Sequence, residues 1–433
     1  MPPEPESDTE PMTAPGPTVG APDPTVAGPG PVTDGPGAPG VVEEATRVVD
    51  RASAEAGETA GRGGGAPDPA RPRRWVPWTA LAVYAALRVA AVVAMAVTAA
   101  ASHVGLLSKL DIWDGEWFLR IVRHGYPAHL PEAHGHVTAN PTAFFPALPL
   151  LTRALDVTGL PAGWSILVIS AVTGAVAVYG VGLLARHLKD DDAGRRSALL
   201  FAVVPGAFAF SLGYSEGIVI TCVSLGLLAL LRRRWWLAGV LGAVATAASP
   251  VGLAFVVSCA WCAGRSIVKE RRYGALVAPL IAPLGFVAFM VYLRIHTGTF
   301  SAWRLTERGG WKSYPSADYP FRILWTFLRN PLSPTLTGQI LVVGTVVAVI
   351  GVVLMVRERQ PVPVLLYGFG VVASAAFSEP VGLRPRFLML AFPMVIALGT
   401  RYEGRTHRVL VAVSAALLVA MTVLELSSWA VFP

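Results

Sequence analysis

The sequence predicts an all-α polytopic integral membrane protein, a bundle of about 11 transmembrane helices behind a disordered N-terminal tail. Two observations carry this. Of 433 residues, 53% are hydrophobic and only 15% charged, mean hydropathy is +0.54, and apolar runs of bilayer length recur along the chain. Charge is also divided unevenly: residues 1–70 are net −9, whereas the rest is net +16. The surroundings expected are membrane lipids, with no nucleic-acid partner.

Residues 1–70 form the first of two expected domains. They are dominated by Pro, Gly, Ala, Thr and acids and hold no aromatic residue. Such a segment cannot bury enough apolar surface to offset the entropy of ordering, so it is expected to be disordered. The first membrane signal is expected after Arg71, Arg73 and Arg74, at the start of the 71–433 domain. Because Lys and Arg near span ends face the cytoplasm, the tail is placed there and the span over 75–101 runs outward. The 102–162 loop then lies outside. A span over 160–184 returns to Arg186, Lys189, Arg195 and Arg196; 197–212 goes out to a tight turn of Tyr214, Ser215 and Glu216; and 218–231 comes back to Arg232, Arg233 and Arg234.

The run 235–263 is followed by Arg265, Lys269, Arg271 and Arg272, so both of its ends belong on the inner side. Ser249-Pro250 supplies a break at its centre. Each half would rise roughly 21 Å, short of a ~30 Å core, and the expected form is a short helical hairpin whose tip approaches the outer surface from within the bundle. The run 273–295 then goes out to a second long loop, 296–337. Runs over 340–356, 362–377, 387–400 and 409–430 alternate through Arg357 and Arg359, then Glu379, Arg384 and Arg386, then Arg401, Arg405 and Arg408. This argument from Lys and Arg alone gathers Asp114, Glu116, Glu216, Ser249, the 296–337 loop and Arg384/Arg386 on one extracytoplasmic face of the plasma membrane.

The densest polar and aromatic stretch is KLDIWDGEWFLRIVRHGY, residues 109–126, which places Asp111, Asp114 and Glu116 between Trp113 and Trp117 or beside them. A helix over 113–123 puts Trp113, Trp117 and Arg120 on one face and leaves Asp114 in the first turn, pointing elsewhere. Two readings stand: a site of chemistry, or an aromatic anchor at the bilayer edge. Arg88, about 13 residues into the first span, is either functional or snorkels to the outer interface. His124, His129, His134 and His136 match no zinc pattern and are read as loop residues. Cys222, Cys259 and Cys262 fall in apolar segments, so no disulfide framework is implied, and the CxxC is read as helix packing.

WDGEWFLRIVRHGY resembles the signature of the PIG-V-like mannosyltransferases, a branch of the GT-C membrane glycosyltransferases. Other pieces follow in family order: FFPALPLL at 144–151, GYSEG at 213–217, HTGTFSAW at 296–303 and RPRFLMLAFP at 384–393. The resemblance covers most of 75–430 and none of the tail. It implies a GT-C-like bundle that transfers mannose from a polyprenyl-phosphate-linked donor to a lipid-linked or extracytoplasmic glycan acceptor. Such a donor carries its own leaving group, so the reaction needs one carboxylate to take the acceptor hydroxyl proton and cations to hold the departing phosphate. Asp114 is the candidate base and Asp111 an auxiliary. Glu116 binds the acceptor or faces water, and Trp113 belongs to the same motif. Arg88, Arg384 and Arg386 are the phosphate candidates, the last two also explicable as charge at a span end. Tyr214 and Glu216 shape the acceptor site, or Glu216 caps the next helix. No metal ligands are assigned; a divalent cation stays open as a cofactor because some GT-C enzymes use one and others do not. The chain departs from the family at Ala248-Ser249-Pro250, where similar proteins carry an Arg or another polar residue. The competing class is a polytopic transporter or lipid flippase, against which stand the lack of an internal repeat and the position of the polar groups at span ends.

Overall fold

The computed structural model describes residues 75–110, 113–331 and 335–427. The tail expected over 1–70 and the candidate Asp111 lie outside them. The first span, α1 (Trp78–Ala101), leads through a 3-10 turn (Leu106–Leu110) into α2 (Trp113–His124). A hairpin of β1 (Glu132–Ala133) and β2 (His136–Val137) and the helix α3 (Ala147–Asp156) complete the first long loop. Next come α4 (Ala162–Leu188), α5 (Asp191–Ala202), a 3-10 segment (Pro205–Ser211) and α6 (Glu216–Leu231). The helices α7 (Trp235–Ala248) and α8 (Leu253–Glu270) lie on either side of the expected break but are not two short halves, since Pro250–Glu270 is by itself long and apolar enough to cross a bilayer; α9 (Val277–Ile281) and α10 (Leu284–Thr297) come next. The second long loop holds α11 (Ala302–Gly309), β3 (Tyr314–Pro315) and α12 (Tyr319–Arg329). Then follow α13 (Leu336–Arg357), α14 (Val362–Ala376), β4 (Ser378–Glu379), α15 (Pro385–Leu390), α16 (Pro393–Arg401) and α17 (Gly404–Ser427). Strands β3 and β4 pair antiparallel, Tyr314 opposite Glu379, and so tie the second loop to the segment that carries Arg384 and Arg386.

The chain is a multi-pass membrane protein. Among the described residues five helices are long and apolar enough to cross a bilayer, and up to seven if each of two bent pairs counts as one span; α7 and α14 are shorter apolar helices. That is fewer than the eleven runs read from hydropathy, and proline accounts for part of the difference. Pro205 follows the end of α5, so the 197–212 run becomes a helix and a 3-10 segment, and Pro393 divides the 387–400 run between α15 and α16. The break at Ser249-Pro250 is present: Ser249 is extended (φ −163°, ψ 147°), and its hydroxyl accepts the Val251 N–H at 3.3 Å.

Helix α4 packs along α6, which packs along α7, and α5 fits between α4 and α16. Loops read as cytoplasmic meet one another at one end. Lys189 donates to the Thr400 carbonyl at 2.5 Å, Arg196 to the Gly399 carbonyl and to Glu403 at 2.9 Å each, and Arg401 to Glu358 at 3.1 Å.

Two glycines set the position of the site. An added Cβ at Gly115 would sit 2.6 Å from the Leu110 carbonyl oxygen, and one at Gly213 would come within 3.4 Å of Gly115 Cα. The backbones of the WDGEW and GYSEG segments thus lie against each other at these glycines, and Gly115 also gives room to the Leu110 carbonyl. A Cβ at Gly206 would collide with the Pro385 carbonyl, so the start of α15 also lies directly on the 205–211 segment. Three motifs far apart in sequence are thereby brought to one place.

Candidate active site

The site is a cavity of about 650 Å³ among the starts of α2, α6 and α15, the hairpin break, and the second long loop. Asp114 opens α2 and reaches Arg386 on α15, whose Nη1 donates to Oδ2 at 2.6 Å. Arg386 Nε lies 3.8 Å from Glu216 Oε1, and the guanidinium sits over the rings of Tyr214 and Phe387 at 5.0 and 4.6 Å. Its side chain is 11% exposed against 24% for Asp114. Burial opposes the Arg386 charge, but Asp114 and Glu216 together outweigh it and raise its pKa. Arg384, also lining the cavity, donates to the Pro380 carbonyl at 3.1 Å. Burial and the neighbouring Arg386 push it down to about 10, so it remains charged at neutral pH.

Several polar atoms here are poised without partners. Glu216 Oε2, the Tyr214 hydroxyl and Arg386 Nε are buried and accept or donate no hydrogen bond among the described residues. Glu216 opens α6, so the capping and site readings are compatible: it is a first-turn acid whose other oxygen faces Arg386. Val371, Ala375, Phe387 and Leu390 add apolar surface to the lining, and Ser249, Pro250 and Val251 of the hairpin break complete it.

Not every sequence candidate arrives. Glu116 is about half exposed and pairs with Arg120 at 2.6 Å, one helical turn on, and it does not line the cavity. Trp113 adopts a left-handed backbone (φ 53°) and packs on the core beside the site. Arg88 is buried away from the cavity: it donates to the Ala207 carbonyl at 2.5 Å and lies over Tyr84, holding the 205–211 segment to α1. The loop histidines 124, 129, 134 and 136 are exposed. Among the described residues no three His, Cys, Asp or Glu side chains come together as a metal site.

Two carboxylates were missed by sequence reasoning. Glu307 on α11 lines the cavity, and burial pushes it up to about 7 against the pull of Ser313 and Trp303. Its signal was available, since 296–337 contains only two acids and Trp303 precedes Glu307 by one helical turn. Glu425, in the last turn of α17, is 2% exposed and has Arg384 and Arg386 as its main charge partners.

Fold and site together define a multi-pass membrane protein with a charged cavity whose roof is made by long loops. The chain belongs to glycosyltransferase family 87, whose model matches residues 140–378. It is also similar to GPI alpha-1,6-mannosyltransferase 2 of Mus musculus, 32% identical over 164 residues, 34% of this chain and 30% of that one. For the Homo sapiens protein the figures are 33% over 169 residues, 35% and 31%. The matches thus span about a third of the length of these relatives. Among solved structures, ArnT from Cupriavidus metallidurans bound to undecaprenyl phosphate is similar with a TM-score of 0.48 at 14% identity, covering 79% of this chain and 63% of that one. The apo oligosaccharyltransferase of Archaeoglobus fulgidus has a TM-score of 0.40 at 14% identity, covering 81% and 56%.

Proposed function

We propose that the protein is a GT-C mannosyltransferase that moves mannose from a polyprenyl-phosphate-linked donor to a lipid-linked or extracytoplasmic acceptor. The observation that carries this is the Asp114–Arg386 pair in a cavity that also holds Arg384 and apolar surface. Buried cations suit a phosphate, the apolar surface suits a polyprenyl chain, and the similarity to mannosyltransferases supplies the sugar. The reaction is a direct displacement. The acceptor hydroxyl oxygen attacks mannose C1, the bond from C1 to the phosphate oxygen breaks, and polyprenyl phosphate leaves with the electron pair, held by Arg386 and Arg384. Asp114 takes the hydroxyl proton.

The pair also couples binding to chemistry. Without donor, Asp114 and Arg386 satisfy each other; a donor phosphate competes for the guanidinium and frees the carboxylate to act as base. Glu216 remains 3.8 Å from Arg386 and keeps its charge compensated during the exchange.

The active face is extracytoplasmic, the tail cytoplasmic, and the membrane the plasma membrane. Support comes from the loops rich in Lys and Arg, which meet at Thr400, Gly399 and Glu358, while the polar cavity is built from other loops. The test is to supply the protein, reconstituted in lipid, with radiolabelled polyprenyl-phosphate mannose and a panel of lipid and glycan acceptors. A new mannosidic bond is the expected result. Movement of label across the bilayer without glycosidic transfer refutes the enzyme in favour of a flippase.

A further inference from the structure

The cavity has a second wall that phosphate chemistry does not use. Glu307 and Trp311 lie on it with Arg304 and Arg308 of the same helix, and among the described residues Glu307 makes no ion pair with either. Trp311 stands edge-on to Trp117 at 5.3 Å and to Phe144 at 5.6 Å between ring centroids. Its indole N–H is buried and has no hydrogen-bond partner among the described residues. An aromatic face, an unused N–H donor and a carboxyl that Ser313 and Trp303 orient thus border one cavity.

The wall is also rigidly held. Thr306, next to Glu307, joins a buried hydroxyl and amide network: Asn140 Nδ2 donates to Thr306 Oγ1 at 2.9 Å, and Thr142 Oγ1 and Thr306 Oγ1 share a hydrogen bond of 2.7 Å. Gly310, just before Trp311, lies so close to Ala139 that a Cβ would approach its Cα to 2.5 Å. The second long loop is therefore fastened to the first by its backbone and by a satisfied polar network, which fixes α11 before any ligand arrives. Such an arrangement does not suit a polyprenyl chain, which would leave the indole N–H unpaired, whereas a ring of hydroxyls meets an acceptor in Glu307 and a donor in Trp311.

We propose that Glu307 and Trp311 form a pyranose-binding subsite, with the sugar ring against the aromatic wall and its hydroxyls donating to Glu307 and accepting from the Trp311 N–H. This rests on the transferase reading above and adds to it the part of the cavity that holds a sugar. Two sugars could occupy it: the mannosyl group of the donor, or a sugar of the acceptor. Both offer the same chemistry, a ring with one apolar face and a rim of hydroxyls.

Direct binding to the full chain in lipid nanodiscs separates them. One arm uses radiolabelled n-octyl α-mannoside as the acceptor-side probe. The other compares polyprenyl phosphate with polyprenyl-phosphate mannose, so that the gain in affinity on adding mannose reports the donor's sugar. Glu307→Ala and Trp311→Phe are each expected to weaken one of these two measures about 10-fold, as loss of a hydrogen bond to a charged acceptor or a buried donor does. Binding of bare polyprenyl phosphate should not change. Glu307→Gln, which keeps an acceptor of the same size, should fall between wild type and Ala and guards against misfolding. Loss in the octyl mannoside arm assigns the acceptor, and loss in the mannose increment assigns the donor. The subsite is overturned if wild type shows neither octyl mannoside binding nor a mannose increment. It is equally overturned if the variants match wild type in both arms, or if bare polyprenyl phosphate weakens equally. Failure of the transferase reading looks different: polyprenyl-phosphate mannose then gives no transfer, whatever the octyl mannoside arm shows.

Discussion

Asp114→Asn separates the two roles assigned to this carboxylate. As base, Asp114 accepts a proton that an amide cannot, so turnover should fall about 10²- to 10⁴-fold. As partner of Arg386 through a 2.6 Å bond, it also competes with the donor phosphate. A hydrogen bond to a charged group contributes about 1.5–3 kcal/mol and one to a neutral amide about 1, so the substitution weakens that competition by about 1 kcal/mol. Affinity for polyprenyl phosphate should therefore rise roughly fivefold while turnover collapses. Breaking a buried ion pair on one side usually destabilises by about 3–5 kcal/mol. Here the loss should be well below that, because Asp114 is 24% exposed and Glu216 stays near Arg386. The assay pairs single-turnover transfer with equilibrium binding of radiolabelled polyprenyl phosphate in nanodiscs. Near-normal turnover would remove Asp114 as base. Weaker phosphate binding would refute the exchange of partners at Arg386 even if turnover were lost.

Arg386→Ala should lower donor affinity and turnover together, because it removes the phosphate contact and leaves Asp114 and Glu216 without their shared cation; Lys should restore only part, lacking the planar fork that now faces both acids. Gly115→Ala should cost about 1–3 kcal/mol of stability and much of the activity, since the new methyl meets the Leu110 carbonyl at 2.6 Å and must push Asp114 aside; a thermal melt and a transfer assay on the same sample test this. Glu307 has a folded pKa raised from 4.5 to about 7, so the folded state holds its proton over a range where the unfolded state has lost it. Its contribution is complete below pH 4.5 and is lost as pH rises to about 7, a total on the order of 3 kcal/mol; melting temperature should fall over that window in wild type, and Glu307→Gln should flatten the fall.

Much of the site was legible as separate pieces. WDGEW, GYSEG and RPRF each stood out because polar residues at the ends of apolar runs are conspicuous, and the Lys/Arg asymmetry put all three on one face before any contact was known. The partners inside the site were not legible. Asp114 and Arg386 are 272 residues apart, and no local period encodes a contact at that separation. Arg88 misled for a physical reason: a charge within a span reads as functional, yet the backbone carbonyl of Ala207 and the ring of Tyr84 suffice to hold it. Glu116 misled in the opposite way. One helical turn separates it from Arg120, and that local pair satisfies it on the face away from the cavity.

What joins the pieces is the glycine contact between WDGEW and GYSEG. The family model covers residues 140–378 and so includes Glu216 and Glu307 but neither Asp114 nor Arg386. The two groups assigned to proton and phosphate therefore come from outside the matched core, one before it and one after. They reach it through close backbone approaches: Gly115 beside Gly213, and Gly206 on Pro385, where a Cβ would meet the Pro385 carbonyl. Tyr214 and Glu216 follow Gly213 immediately, so the same contact that admits Asp114 also sets the acid and ring that compensate Arg386. The Asp114–Arg386 pair is thus held against the matched core rather than contained in it. It follows that Gly213→Ala, within the matched core, should impair transfer less than Gly115→Ala does. Its Cβ would stand 2.9 Å from the tip of the Ile166 side chain, which can shift, and 3.4 Å from Gly115 Cα, an ordinary contact, whereas a Cβ at Gly115 meets the Leu110 backbone carbonyl at 2.6 Å. Comparing the two variants singly and together tests this: the Gly213 loss should be the smaller and the two should add, because their clashes are with different neighbours, whereas an equal Gly213 loss would refute the reasoning.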